Sequence, residues 1–310
     1  QDSDDWEKIM DVLVEKDGLL LQADAGCGKT YVAKKMASIL ANVKKMAPTN
    51  KAALNLKGST IHKFLNMDIE GNVSTKILNH IKKNVKYIFV DEISMITKEL
   101  WRRLAFVKRA TGVKFLLIGD DKQLEPVEDE KLKDYFNHPS VKYICNSNRN
   151  VLNVRKRYDE KLYNILKDVD MIDTSKFPIL ETERNICYFN STRIKVNKYW
   201  NDKYKTNDSL FIGEDIYDEY TQDMYLYTGM PVIAKKTGRD GDELLFANSE
   251  TFSIGNIDDK YVSVCTQRPD EDGNKEVYVY DCPIEEFRQG FLMNYCSTTH
   301  KSQGETIIEN

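Results

Sequence analysis

A glycine-rich stretch near the N-terminus constrains the fold of this chain more than any other feature. Residues 23–30 are Ala-Asp-Ala-Gly-Cys-Gly-Lys-Thr, between the apolar run 18–22 and a helical pattern over 29–41. This is the pattern of a P-loop, with Ala23 in place of the usual first glycine. Backbone N–H groups at a helix N-terminus can surround a phosphate, so the stretch predicts a strand–loop–helix unit that binds one.

The residues of this loop are of the types that bind the phosphates of a nucleotide and its Mg²⁺ ion. Gly26 and Gly28 let the backbone turn toward the β-phosphate, and Lys29 places a charge on the β- and γ-phosphates. The Thr30 hydroxyl suits one position of a Mg²⁺ ion. The predicted nucleotide-binding residues of the loop are Ala25, Gly26, Cys27, Gly28, Lys29 and Thr30.

Short apolar runs alternate with helical patterns from about residue 18 to 145. Further strands are predicted at 43–49, 85–92 and 113–120, and a helix at 97–112 that ends at Gly112. Strands that alternate with helices predict a parallel sheet covered on both faces, and therefore an α/β fold.

Two acidic residues and a glutamine follow predicted strands of this sheet. Asp91 would hold Mg²⁺, and Glu92 would act as a general base on the attacking water. Gln123 would reach the γ-phosphate and sense hydrolysis; the alternative is an ordinary exposed loop glutamine. The P-loop upstream favours the catalytic interpretation of the acidic pair over two solvated residues at a sheet edge.

The pattern changes after residue 150. Helices are predicted at 153–169 and 193–204 with a strand at 185–192 between them, which indicates a second α/β unit. Short alternating runs over 213–285 predict a small β-rich insertion, and 290–298 is predicted to return as one buried strand. The expected domains are 1–150, then 151–212 with 286–310, interrupted by 213–285.

Length, composition and charge exclude several classes of protein and of binding site. The 310 residues suit two or three domains, and no apolar run approaches membrane-spanning length, so we expect a soluble, intracellular protein without a membrane partner. Six scattered cysteines and four dispersed histidines predict free thiols and no zinc site. A net charge of −4 argues against coating a polyanion with the whole surface, but it allows a local basic channel.

Taken together, the motifs resemble superfamily 1 helicases, and within them the 5′-to-3′ group, superfamily 1B, that includes RecD and phage Dda. The segments that carry the resemblance are 23–30 (motif I), 47–65 (motif Ia and its neighbour), 90–95 (motif II), 119–127 (motif III), 146–150 (motif IV) and 297–306 (motif V). The resemblance implies two RecA-like P-loop domains with parallel sheets, the second carrying an SH3-like insertion. It also places a small strand-separating wedge near 66–83, where a plain surface hairpin or helix is an equal alternative.

The resemblance also implies roles for individual residues. Arg149 would be a cation on the γ-phosphate, and Gln303, Gly304 and Glu305 would lie near the nucleotide. Contacts to single-stranded DNA are implied for Pro48, Thr49, Lys51, Thr60, His62 and Phe64 in the first domain and for Thr299, His300 and Lys301 in the second. Hydroxyls and cations can hold phosphates without distinguishing bases, which suits a protein that must move along DNA of any sequence. Phe64 could stack on a base, but its neighbours Ile61 and Leu65 favour a place in the core.

The implied activity is an ATP-dependent DNA helicase that uses Mg²⁺ and ATP between its two RecA-like domains and acts on single-stranded DNA and its junctions with duplex. Gln1 is too far upstream to bind adenine and Gln22 lies in a predicted strand, so no glutamine is well placed to read the base. Motif VI is absent from the 310 residues, so we expect a longer protein. The alternatives are a nucleotide-gated scaffold subunit that works with primase or other replication proteins, an RNA helicase, and an unrelated P-loop ATPase. Richness in Lys, Asn, Ile and Tyr suits a large DNA virus or phage acting in the host cytoplasm or at a replication site.

Overall fold

The computed structural model describes residues 2–68, 71–120, 137–154, 156, 182–241, 243–269 and 275–302. The chain divides into two compact units, Gln1–Phe177 and Pro178–Asn310. Each unit has its own apolar core in its described residues. None of the helices among these residues is long and apolar enough to cross a membrane.

The first unit is built on a six-stranded parallel sheet. Its strands are β1 (Leu19–Ala23), β2 (Val43–Ala47), β3 (Ser59–Thr60), β4 (Tyr87–Val90), β5 (Lys114–Gly119) and β6 (Arg149–Leu152). Their order across the sheet is β3-β2-β4-β5-β1-β6, and every pair is parallel. The predicted α/β fold is confirmed.

Helices cover both faces of this sheet. Those among the described residues are α1 (Trp6–Lys16), α2 (Lys29–Ile39), α3 (Asn50–Leu56), α4 (Ile61–Leu65), α5 (Thr75–Asn84), α6 (Lys98–Thr111) and α7 (Pro139–Ile144). Successive strand residues face opposite sides: Ile88 belongs to the apolar cluster that α5 and α6 cover, and Phe89 to the cluster that α1 and α2 cover. Because both faces are buried at the centre of the sheet, strands β4 and β5 are nearly continuous apolar runs.

Helix α5 occupies the second half of the segment 66–83, for which a wedge was one prediction. It begins after Ser74, whose side chain accepts a hydrogen bond from the N–H of Ile77. Ile81 is buried, and Ile77 and Leu78 pack against the same apolar cluster as α6. Core packing therefore accounts for this helix, and a role in strand separation stays a prediction.

In its described residues, the second unit contains a five-stranded antiparallel sheet and three two-stranded ones. The strands are β7 (Asn185–Cys187), β8 (Leu210–Ile212), β9 (Met224–Leu226), β10 (Pro231–Ala234), β11 (Gly238–Asp240), β12 (Glu243–Phe246), β13 (Thr251–Ile257), β14 (Tyr261–Pro269), β15 (Lys275–Pro283), β16 (Phe291–Met293) and β17 (Cys296–Thr298). The large sheet has the order β15-β14-β13-β10-β16. Its helices are α8 (Asn190–Tyr204), α9 (Ile284–Gly290) and α10 (Thr299–Ser302).

The prediction of one buried strand over 290–298 is wrong. Phe291–Met293 pairs antiparallel with β10 in the large sheet, whereas Cys296–Thr298 pairs parallel with β7. The backbone changes partners between them, because the Asn294 N–H donates to the Pro231 carbonyl and the Tyr295 carbonyl accepts from the Asn185 N–H. Residues 291–293 thus belong to the β-rich sheet, beyond the boundary expected at 285.

Two other sequence predictions differ from the structure or fall outside it. The strand predicted over 185–192 ends at Cys187, since helix α8 already begins at Asn190. Most of the helix predicted over 153–169 lies outside the described residues.

Candidate nucleotide-binding site and nucleic-acid contacts

The P-loop joins strand β1 to helix α2. Gly26 and Gly28 have φ angles of 82° and 87°, in the left-handed region that glycine adopts without the strain of a side chain. Gly28 is the N-cap of α2, and its carbonyl accepts the N–H of Val32. Since the first N–H groups of a helix have no partner within it, this turn offers donors to an anion.

Lys29 holds its ammonium at the mouth of the loop. Its Nζ donates to the carbonyls of Ala23 at 2.6 Å and Asp24 at 3.2 Å, and lies 3.4 Å from Oδ2 of Asp120. Asp120 follows β5, which runs beside β1 with Gln22 opposite Gly119. The lysine charge is therefore fixed by oxygen atoms at the carboxyl edge of the sheet, where phosphate oxygens could replace them.

Asp91 and Glu92 follow β4 at the same edge. Asp91 is buried, which raises the pKa of its carboxyl, while its Oδ1 accepts the N–H of Glu92 at 2.9 Å. Burial also raises the pKa of Glu92 to about 7; the charges of Asp91 and Asp120 add to this rise, and those of Lys29 and Lys51 oppose it. A carboxyl group that titrates near neutral pH can serve as a general base.

Thr30 and Asp91 are the residues that could hold Mg²⁺. A hydroxyl and a carboxylate are the hard oxygen ligands that this ion takes, and it keeps phosphates and waters as its other ligands. In the described part of the chain, no three His, Cys, Asp or Glu side chains come together as a metal site. The donor set thus fits an ion shared with a nucleotide rather than one held by protein ligands alone.

A cavity of about 170 Å³ lies beside the P-loop. It is lined by Gln22, Ala23, Asp24, Cys27, Val151, Leu152 and Asn153. Next to the loop, the Lys156 N–H donates to the Gly26 carbonyl at 3.0 Å, and the Lys156 Cγ would lie 3.7 Å from a Cβ placed on Gly28. Sequence reasoning missed Lys156; the signal was the basic run at residues 155–157, which begins shortly after β6 ends at Leu152.

The strand register is at odds with the role implied for Arg149. Arg149 begins β6 and lies opposite Leu20, whereas the P-loop follows Ala23, which lies opposite Leu152. At about 3.3 Å per residue, three residues of strand put Arg149 roughly 10 Å back from the edge that carries Lys29. The register therefore argues against Arg149 as a cation on the γ-phosphate. Arg155 and Arg157 follow β6 in the sequence, outside the described residues.

The candidate DNA contacts of the first unit lie at the other end of the same edge. Pro48 and Thr49 follow β2, and Thr60 ends the neighbouring β3, opposite Ala47. The hydroxyl of Thr49 caps α3 and that of Thr60 caps α4, each accepting a backbone N–H at 3.2 Å. A capping hydroxyl can still donate its own O–H, so both could bind a phosphate.

The remaining candidates of this unit differ in exposure. His62 is exposed and Lys51 is half-buried, and the charge of Lys51 reaches the Glu92 carboxyl. Phe64 is partly buried and packs against the apolar cluster that α5 and α6 cover, which favours the core over stacking on a base. The strand order places the threonines, the acidic pair and the P-loop in sequence along one edge.

The second unit carries the other candidate contacts at the end of β17. Helix α10 begins at Thr299, and the Ser302 hydroxyl donates to the carbonyls of Thr298 at 3.2 Å and Thr299 at 3.1 Å. Thr299 and Lys301 are half-buried. The side chain of His300 and the whole of Gln123, Gln303, Gly304 and Glu305 lie outside the described residues.

Residues 3–141 match the family model of an AAA domain. Among curated proteins, the chain is similar to the ATP-dependent DNA helicase PIF1 of Danio rerio, with 25% identity over 182 residues, 52% of this chain and 28% of the relative. The ATP-dependent DNA helicase Pif1 of Campylobacter jejuni is 27% identical over 153 residues, 43% of this chain and 34% of the relative. The chain thus spans about a third or less of these relatives.

Solved structures match nearly the whole chain. A Pif1 helicase from Bacteroides in complex with ADP-AlF3 and ssDNA is 18% identical, with a TM-score of 0.65 over 97% of this chain and 83% of that one. The resemblance to superfamily 1B helicases is confirmed. Pif1 helicase from Candida albicans gives the same TM-score of 0.65 at 17% identity, over 98% of this chain and 87% of that one. The fold of these solved structures, with its RecA-like domains, therefore extends over both units.

Proposed function

We propose that this protein is an ATP-dependent DNA helicase that moves 5′-to-3′ on single-stranded DNA and unwinds duplexes. One observation carries the proposal: Lys29, Asp91 and Glu92 lie at the same carboxyl edge of one parallel sheet, close enough for the Lys29 charge to lower the pKa of Glu92. The relatives named as ATP-dependent DNA helicases support the substrate and the activity.

In the proposed reaction, the P-loop N–H groups bind the phosphates and Lys29 exchanges carbonyl oxygens for phosphate oxygens. Thr30 and Asp91 would hold Mg²⁺, which neutralises charge on the phosphates when it is bound. Glu92 accepts a proton from the attacking water, for which it must be ionised. The pKa of about 7 leaves a substantial ionised fraction at neutral pH.

Single-stranded DNA is the proposed track. Thr49 and Thr60 at one end of the sheet edge, and Thr299 and Lys301 in the second unit, would bind its phosphates without selecting bases. Lys51 links this track to the chemistry, because its charge lowers the pKa of Glu92. The superfamily 1B resemblance implies an advance of about one nucleotide per ATP.

Structures of related Pif1 helicases support both DNA forms as substrates. One is a Bacteroides Pif1 bound to ssDNA, and another concerns unwinding at forked dsDNA by two coordinating Pif1 helicases. We therefore include junctions between single- and double-stranded DNA in the proposal.

ATP hydrolysis by the full-length protein, measured with and without single-stranded DNA, tests this function. We expect DNA to stimulate turnover strongly, and Lys29→Ala to abolish turnover under both conditions. A parallel measurement with single-stranded RNA separates a DNA helicase from an RNA helicase. ATP hydrolysis that DNA leaves unchanged would contradict the proposed coupling.

A further inference from the structure

Helix α8 buries a row of polar side chains. Arg193, Asn197 and Asn201 follow one another at intervals of four residues and are 1%, 0% and 2% exposed. Residues four apart lie on the same face of a helix. Because buried polar groups are costly without hydrogen bonds, the partners of each side chain show what it contributes.

The side-chain amide of Asn197 holds the β16–β17 link, the two residues 294 and 295 that join strand β16 to strand β17. Its Nδ2 donates to the carbonyls of Met293 and Cys296, each at 3.1 Å, and its Oδ1 accepts the Cys296 N–H at 2.8 Å. Met293 is the last residue of β16 and Cys296 the first residue of β17. Both amide hydrogens and the amide oxygen are therefore committed to the two ends of one link.

This link leads directly to the candidate DNA contacts of the second unit. Only Ser297 and Thr298 separate Cys296 from Thr299, where helix α10 begins. The link leaves an antiparallel sheet and enters a parallel pair of strands, so neither sheet alone fixes its path. The bonds from Asn197 set where β17 starts and hence where Thr299 and Lys301 lie.

We propose that Asn197 is a positioning residue for DNA binding: it holds the β16–β17 link so that Thr299 and Lys301 meet the phosphates of single-stranded DNA. The proposal rests on the proposed function, because it assumes that the segment after β17 contacts DNA. Asn197 is fully buried and acts only through the backbone that it holds.

Asn201 offers a matched control one helical turn away. Its Nδ2 donates to the Tyr225 carbonyl at 2.9 Å and its Oδ1 accepts the Tyr225 N–H at 2.8 Å. Tyr225 belongs to β9, and none of the hydrogen bonds that Asn201 makes within the described residues reaches the link. Replacing Asn201 therefore removes a comparable buried amide and keeps the three hydrogen bonds from Asn197 to Met293 and Cys296.

The test compares Asn197→Ala and Asn201→Ala in the full-length protein. The measurements are the melting temperature, the Kd for a fluorescent single-stranded oligonucleotide, and the turnover and KM for ATP without DNA. We expect both variants to melt at lower temperature, but only Asn197→Ala to weaken DNA binding, by about tenfold, which is the loss of roughly one good hydrogen bond. ATP turnover and KM without DNA should stay within about twofold of wild type, a free-energy change below about 0.5 kcal/mol.

Equal weakening of DNA binding by both variants, or no weakening by Asn197→Ala, would overturn the proposal. A wild-type protein that fails to bind single-stranded DNA would instead refute the proposed function, so the two failures are distinct.

Hydrogen exchange in the wild-type protein gives an independent test if Asn197→Ala does not fold. We expect bound single-stranded DNA to slow exchange of the Cys296 N–H, which bonds to Asn197, much more than that of the Tyr225 N–H, which bonds to Asn201. Unchanged exchange at Cys296 in the DNA complex would also overturn the proposal.

Discussion

The Lys29 ammonium lies 3.4 Å from the Asp120 carboxylate, where strands β1 and β5 end side by side. The two side chains are only 12% and 3% exposed, so solvent screens the pair weakly. The same Asp120 charge raises the pKa of Glu92, and the Lys29 charge lowers it. One carboxylate thus affects both the cation that would bind phosphate and the candidate general base.

Replacing Asp120 with asparagine should shift the pH dependence of ATP hydrolysis to lower pH. Glu92 must be ionised to accept a proton, so wild-type kcat/KM should fall as the pH drops below about 7. Loss of the Asp120 charge lowers the pKa of Glu92, and the acidic limb should move with it. The position of that limb in a pH–rate profile checks this; Glu99→Gln, an exposed acid on α6, should leave it in place.

Glu92 should also make the folded state less stable as the pH rises. Its pKa is about 7 in the folded protein against 4.5 in the unfolded chain, so between these values the folded state holds a proton that the unfolded state has released. The free energy of unfolding therefore falls across this window as the pH increases. We expect Glu92→Gln to remove part of that fall, as measured by urea unfolding at pH 5 and pH 8. An undiminished fall in the variant would show that Glu92 does not carry the shift.

Thr60→Ala should weaken DNA binding beyond its effect on folding. Thr60 caps α4, and Thr97 caps α6 in the same way, accepting the Leu100 N–H at 3.3 Å. Loss of either cap should cost about 1 kcal/mol of stability. Only Thr60 lies among the proposed phosphate contacts, so only Thr60→Ala should raise the Kd for single-stranded DNA. Similar Kd values for the two variants would remove Thr60 from the DNA site.

Arg149→Ala should leave ATP hydrolysis nearly unchanged. The register of β6 places Arg149 opposite Leu20, away from the edge at which Lys29 lies. We expect turnover within about twofold of wild type, whereas a cation on the γ-phosphate would account for about 10³-fold or more. A loss of that size in steady-state turnover would restore the role implied by the family resemblance.

The sheet and the phosphate loop could be predicted from the sequence, because their signals are local. A continuous apolar run such as 87–90 identifies a strand buried on both faces, and Gly26 with Gly28 supplies the turn. The raised pKa of Glu92 could not be predicted, since it depends first on burial by tertiary packing and then on nearby charges, including that of Asp120 on another strand. The register that moves Arg149 from the edge likewise depends on the pairing of β1 with β6.

Asn197 shows a different limit of sequence reasoning. A polar residue in a helix predicts a solvated face, yet Asn197 is fully buried because its amide replaces backbone partners that the β16–β17 link lacks. The same link made 290–298 resemble one strand, since Leu292 and Cys296 are both buried although they belong to different sheets. Local apolar pattern cannot reveal a change of strand partner.

Strand separation by the full-length protein tests the central claim most directly. The substrates are DNA duplexes with either a 5′ or a 3′ single-stranded tail, incubated with Mg²⁺ and ATP, with Glu92→Gln as the hydrolysis-deficient control. We predict unwinding of the 5′-tailed duplex that requires ATP and is lost in the control. Preference for the 3′ tail would contradict the assigned direction, and failure to separate either duplex would contradict the helicase itself.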